Sequence, residues 1–243
     1  MAKGLFRKLQ RGVQYGYAMA TRRKIDDEFI TWLSFANAGM LNPGNAYLMD
    51  LAVEQAPEGG AFIEIGSFCG LSTNCILHFM RRHGRKNTFF TCDKWAFENS
   101  DGGGTLGDSP LQHAEYREFV KTTYMRNVGF FGAGERPRTI EVFSDEFFDL
   151  WRRRANVSDV FGRDVELGGP ISFAYIDGNH TYEFAKRDWQ NVDEFLLPGG
   201  FVLFDDSASY LEFEVYPVVR ELQRDPNYEL VATNPNHLLR KRA

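Results

Sequence analysis

From residue 61 onward, short and mostly apolar runs alternate with segments of helical spacing, and this alternation constrains the fold most. The runs are Ala61–Ile65 (AFIEI), Asn87–Cys92 (NTFFTC), Thr139–Phe143, Ile171–Ile176 (ISFAYI) and Phe201–Phe204. Between and after them lie helical stretches at Ser72–Arg82, Asp145–Arg154, Thr181–Phe195 and Glu214–Arg224. Apolar runs without a clean polar alternation read as strands covered on both faces. Strands alternating with helices predict an α/β fold, a doubly wound Rossmann-like sheet with right-handed crossovers. Tyr228–Thr233 and His237–Arg240 flank Asn234-Pro235-Asn236 and predict a terminal antiparallel hairpin. The sum is a seven-stranded, mostly parallel sheet.

Two regions stand outside the alternation. Residues 1–60 form an N-terminal helical segment, with helices over Asp26–Ala38 and Asn45–Gln55 stopped by Pro57-Glu58-Gly59-Gly60. The remaining residues, 61–243, form one domain. Within it, Lys94–Leu111 is polar and glycine-rich and directly follows a strand, which predicts a lid insertion over about 94–111. Ala155–Pro170 is a second polar insertion.

Charge and cysteine usage narrow the function class. The chain carries 28 Lys+Arg and 33 Asp+Glu, a formal charge of −5, which argues against a nucleic-acid partner. Cys69, Cys75 and Cys92 include no C-x-x-C pair and suit a reducing compartment. The basic N-terminus lacks a continuous apolar core, and no apolar run is long enough to span a bilayer. The expectation is a cytoplasmic protein with a small-molecule substrate, no membrane partner and a possible homo-oligomeric state.

In doubly wound folds ligands bind beyond the carboxyl ends of the strands, so residues there carry the function. After the first strand comes Glu64-Ile65-Gly66-Ser67-Phe68-Cys69-Gly70-Leu71-Ser72-Thr73. Gly66 and Gly70 allow a sharp turn and a close approach to a ligand, and Ser72 and Thr73 open the following helix. The spacing is neither that of a P-loop nor that of a dinucleotide fingerprint. Asp93 follows the second strand, where a carboxylate can accept both hydroxyls of a ribose.

The fourth strand runs into Asp177-Gly178-Asn179-His180 and the fifth into Asp205-Asp206. Three carboxylates at one rim repel unless a cation or protonation compensates. An all-oxygen set favours a hard ion, magnesium before calcium. His180 can take a proton near neutral pH.

Three stretches, FIEIGSFCGLST, FTCDKW and YIDGNHTYEFAKRDWQNVDEFLLPGGFVLFDD, resemble class I S-adenosylmethionine-dependent methyltransferases. More narrowly, they resemble the macrocin O-methyltransferase family, which acts on sugar hydroxyls of antibiotics and related glycosides. The resemblance implies a cofactor loop of Glu64, Gly66, Ser67, Gly70, Ser72 and Thr73. It implies Asp93 at the ribose, Ser144 and Asp145 near the adenine, and Asp177, Asp205 and Asp206 on magnesium, with Asp177 also beside the cofactor. The family's acidic base, two positions past the first metal aspartate, is Asn179 here and cannot accept a proton. Catechol methyltransferases place a lysine one position further, where this chain has His180. The expected activity is O-methylation of a sugar or glycosylated natural product. A catechol or phenol acceptor and a non-catalytic cofactor-binding regulator are the alternatives.

Overall fold

The computed structural model describes residues 2–96 and 103–243. Three helices come first: α1 (Ala2–Thr21), α2 (Glu28–Ala36) and α3 (Pro43–Gln55). The alternation follows as β1 (Ala61–Ile65), α4 (Leu71–Arg82), β2 (Phe89–Cys92), α5 (His113–Phe131), β3 (Arg138–Ile140) and α6 (Ser144–Arg152). A small hairpin, β4 (Asn156–Ser158) and β5 (Asp164–Glu166), precedes β6 (Ile171–Ile176) and α7 (Tyr182–Asp193). The chain closes with β7 (Leu196–Phe204), α8 (Val215–Leu222), β8 (Tyr228–Thr233) and β9 (His237–Lys241).

The seven-stranded sheet has the order β3-β2-β1-β6-β7-β9-β8. The β3-β2-β1-β6-β7 pairings are parallel, and β9 joins β7 antiparallel. The order reverses between β1 and β6, so the ligand crevice lies where Ile65 and Ile176 end side by side.

The two faces follow the period-two rule. Ile63, Ile65, Ala174, Ile176, Val202 and Phe204 pack on one side with α6, α7 and α8. Phe62, Phe173, Tyr175, Phe201 and Leu203 pack on the other with α3, α4 and α5. Glu64 shares this second face and is fully buried. At such positions a Phe-to-Ala truncation costs about 3–5 kcal/mol.

Several boundaries differ from the sequence expectation. The second strand starts at Phe89, and the third stops at Ile140 because the backbone turns there. Leu197–Gly200, read as a helix stop, is absorbed into β7 as an irregularity: Ile171 pairs with Leu196 but Phe173 pairs with Phe201. The helix α5 was not anticipated. Its buried residues Val120, Tyr124 and Val128 recur every fourth position, and Gln112 and Glu115 form a capping box at its start. The second polar insertion holds the β4–β5 hairpin. Of the expected lid, residues 97–102 lie outside the described residues. Thr105 bridges to Gln112 just before α5.

Candidate functional site

The loop after β1 is shaped by Gly66. Its φ is +81°, and a Cβ there would lie 2.0 Å from the Asp177 carbonyl oxygen. Only glycine lets this loop sit against the end of β6, where Asp177 N–H donates to the Ile65 carbonyl at 2.9 Å. Gly70 also has a left-handed φ and seats the start of α4 close to Tyr124 and Val128 of α5.

Asp93 ties the loop down. One carboxylate oxygen accepts the backbone N–H groups of Ser67 (2.8 Å) and Phe68 (2.9 Å), with the Ser67 hydroxyl at 3.4 Å. The other accepts the Trp95 N–H at 2.6 Å. Burial raises the Asp93 pKa, against the lowering by these bonds. The Trp95 indole donates to the Phe68 carbonyl at 2.9 Å, so the chain just after β2 is anchored to the same loop.

Glu64 lies beneath. The Thr73 hydroxyl donates to one oxygen at 2.5 Å, and the other oxygen has no partner among the described residues. Burial pushes the Glu64 carboxyl up to about 8. An orphaned buried oxygen under a glycine loop is costly unless something outside the described residues completes it. Ser72, buried in the first turn of α4, and Thr73 both pull the Glu64 pKa back down against burial.

Ser144 and Asp145 open α6 after β3. Asp145 pairs with Arg187 at 2.9 Å and accepts from the Asn191 amide at 3.3 Å, so its carboxylate is turned toward α7. The Ser144 hydroxyl bonds Asp188, a residue the sequence reading passed over. Asp188 is buried, with its pKa raised to about 7 by burial, and one of its oxygens has no partner among the described residues. It occupies the inward stripe of α7 with Ala185 and Val192, and a carboxylate at core spacing was the available signal.

The acids at the ends of β6 and β7 meet as expected, but not on equal terms. Asp205 is buried. One oxygen accepts from Asn45 (2.8 Å), Asn236 and the Asp206 N–H (2.8 Å), and the other from the Tyr175 hydroxyl (2.7 Å). The Tyr175 hydroxyl also lies 3.2 Å from Asp177. Asn45 of α3 and Asn236 of the β8–β9 turn were not singled out by the sequence reading. Burial first, then Asp205 and Asp206, raises the Asp177 pKa well above the usual carboxylate range. Burial, then Asp206, raises that of Asp205.

His180 joins the outer two acids. Its Nδ1 is 2.9 Å from Asp206 and its Nε2 is 3.9 Å from Asp177. A carboxylate facing Nδ1 selects the tautomer protonated there and leaves the Nε2 lone pair as the basic one. Asp206 has a φ of +48°, uncommon for a residue with a side chain. Phe213 stands edge-on to the imidazole at 4.7 Å. The Asn179 side chain accepts the Thr181 N–H at 3.0 Å at the entry to α7.

As a donor set, Asp177, Asp205 and Asp206 suit a hard dication, because a cation relieves the mutual repulsion that adds to burial in raising the Asp177 and Asp205 pKa values. As an arrangement, no three His, Cys, Asp or Glu side chains among the described residues form a metal-binding group. Four donors already engage the Asp205 carboxylate.

The comparisons agree with this architecture. The fold is similar to the O-methyltransferase NovP, with a TM-score of 0.53 and 18% identity over 82% of this chain and 79% of that one. It is similar to the SAH-bound methyltransferase PaMTH1 of Podospora anserina, with a TM-score of 0.56 and 13% identity over 94% of both chains. It is also similar to the O-methyltransferase TomG of Streptomyces achromogenes, solved with SAM, with a TM-score of 0.50 and 12% identity over 96% of each. At these identities the likeness establishes the fold. No curated protein matches the chain. A family model described as a methyltransferase domain matches residues 63–207, from within β1 to just past Asp205-Asp206. That match spans more than half the chain and encloses Glu64, the Gly66 loop, Asp93, Asp177, His180, Asp205 and Asp206, so the chain belongs to the methyltransferase-domain family Methyltransf_24.

Proposed function

We propose that the protein is an S-adenosylmethionine-dependent, magnesium-assisted O-methyltransferase acting on a hydroxyl of a sugar or glycosylated natural product. The observation that carries the reading is the Asp206–His180 pair, which stands at the rim where the Gly66 loop abuts Asp177. The similar folds named above, two of them called O-methyltransferases and one solved with SAM, support the same cofactor and reaction.

Glu64, Gly66, Ser67, Gly70, Ser72, Thr73 and Asp93 would hold the cofactor, with Ser144, Asp145 and Asp177 at its edges. The orphaned Glu64 oxygen favours a ligand that brings a positive charge or a donor. Among the described residues one Asp93 oxygen has a single donor, which leaves a lone pair for a ribose hydroxyl. The cofactor supplies an electrophilic methyl group on a sulfonium. The protein's own task is to orient the acceptor, exclude water and remove a proton.

His180 takes that proton at Nε2 while Nδ1–H donates to Asp206, the pairing that orients a histidine base in other hydrolytic and transfer sites. Asn179 has an amide and serves the α7 turn instead. Asp177 and Asp206 would hold a magnesium ion, with Asp205 joining by sharing an oxygen with Tyr175. The ion would supply Lewis acidity toward the acceptor oxygen. The lid segment, about 94–111, rooted through Trp95, would close over the acceptor. Phe213 beside His180 favours a phenolic acceptor as the second reading.

The test is an acceptor screen over glycosides and catechols with S-adenosylmethionine, read by mass, with and without chelator. The reading predicts a glycoside product that chelator abolishes and magnesium restores. Full turnover in chelator removes the metal role, a catechol-only product selects the second reading, and cofactor binding without any product favours a regulator.

A further inference from the structure

The helix α1 sits on the protein by its polar face. The Arg11 guanidinium donates to the Tyr210 carbonyl at 2.7 Å and pairs with Glu212. Tyr15 stands edge-on to Tyr210 at 5.3 Å. The opposite face is open: Phe6, Leu9 and Val13 are each 68% exposed and Tyr17 is 72% exposed. A soluble helix ordinarily does the reverse and turns its apolar stripe inward.

The open stripe has a period. Phe6, Leu9, Val13, Gly16 and Ala20 are spaced 3-4-3-4, the a and d positions of a heptad. Nothing lies within 4 Å of a side chain built at Gly12 or Gly16, so another helix can approach closely there. We propose that α1 is the seam of a homodimer and pairs with α1 of a second copy.

Charge placement decides the occupant. The first 25 residues hold seven Lys and Arg and no acid. A basic amphipathic helix on an anionic bilayer places cations along the borders of its apolar stripe. Among the described residues the border positions are Gln10, Gly12, Tyr17 and Met19, none of them charged. Lys8 and Arg11 fall at positions away from the seam, and Arg11 is committed to Glu212. Two such helices therefore meet without like charges in contact, whereas a bilayer would find few cations where it needs them. A twenty-residue seam is short for a stable interface of about 1,200–2,000 Å². Trp32, Phe35 and Met40, at 65%, 81% and 86% exposure, add apolar surface in the same N-terminal segment.

The seam bears on the rim. The helix α1 holds Tyr210 and Glu212, and the neighbouring Phe213 touches His180. Pairing would fix the loop that follows Asp205-Asp206.

Sedimentation velocity of the full chain at about micromolar to tens of micromolar concentration tests this without reference to activity. The expected species is twice 27.9 kDa. Val13→Asp should weaken association about a hundredfold or more, because two unpaired carboxylates would face one another in the seam. Circular dichroism should not change, since Val13 is exposed in the monomer. Lys8→Gln, away from the seam, should leave the dimer intact. A monomer at every concentration overturns the proposal. So does a dimer that survives both Val13→Asp and Leu9→Glu, and so does a monomer that sediments with vesicles containing phosphatidylserine.

Discussion

Glu64 makes a quantitative prediction. Its carboxyl is fully buried, half-satisfied by Thr73, and shifted by burial from 4.5 to about 8. A carboxyl whose folded pKa is raised keeps its proton in the folded state while the unfolded chain has lost it. Stability is therefore full below about pH 4.5 and falls as pH rises toward 8. At 1.36 kcal/mol per unit, the loss between pH 5 and pH 8 is about 4 kcal/mol. Glu64→Gln keeps the shape and removes this one titration; the raised carboxyls of Asp93, Asp177, Asp188 and Asp205 act on both proteins, so the difference between the two curves isolates Glu64. The assay is urea unfolding of both proteins at pH 5, 6, 7 and 8, with the slope m held as a check on the unfolded state. The wild type should lose about 4 kcal/mol more than the variant between the ends. Parallel curves, agreeing within about 1 kcal/mol at every pH, would refute the claim that Glu64 is buried without a full set of partners.

Three further outcomes follow from the same geometry. Gly66→Ala should destabilise by at least about 2 kcal/mol in urea unfolding, since the new Cβ meets the Asp177 carbonyl and the left-handed φ disfavours a side chain. Asn236→Ala should cost about 1–3 kcal/mol by the same assay, because a donor to the buried Asp205 carboxylate is lost. His180→Ala should lower turnover about 10²–10⁴-fold with little change in melting temperature, as steady-state kinetics and calorimetry can show; unchanged turnover would remove it as the base.

The sheet was readable because its central strands are apolar on both faces. AFIEI, ISFAYI and FVLF carry no competing helical period, and glycines and prolines mark where they stop. The helix α5 was not, because it buries a thin stripe and leaves Phe119 and Phe130 exposed, which blurs its period. The β4–β5 hairpin escaped notice because three-residue strands with one inward side chain have too few positions to alternate.

The rim divides in the same way. Gly66, Asp93, Asp177, Asp205 and Asp206 stand at strand ends, where position alone gives them away. The engagement of Asp205 by Asn45 and Asn236 joins residues 160 and 31 positions from it in the chain, and no local pattern encodes that contact. Asp188 is intermediate: its place in the buried stripe of α7 was visible, but whether its partner is a hydroxyl or solvent depends on α6. Long-range polar satisfaction is what the sequence pattern cannot supply, and it alters the reading of the metal site most.

The central claim is that the rim at the ends of β1 and β6 binds S-adenosylmethionine. A crystal structure with the demethylated cofactor product tests it most directly. The account predicts the product lying against Gly66–Gly70, with its ribose hydroxyls on Asp93 and a donor within hydrogen-bond reach of the orphaned Glu64 oxygen. Product bound elsewhere, with Asp93 still engaged only by the loop N–H groups and Trp95, would contradict it.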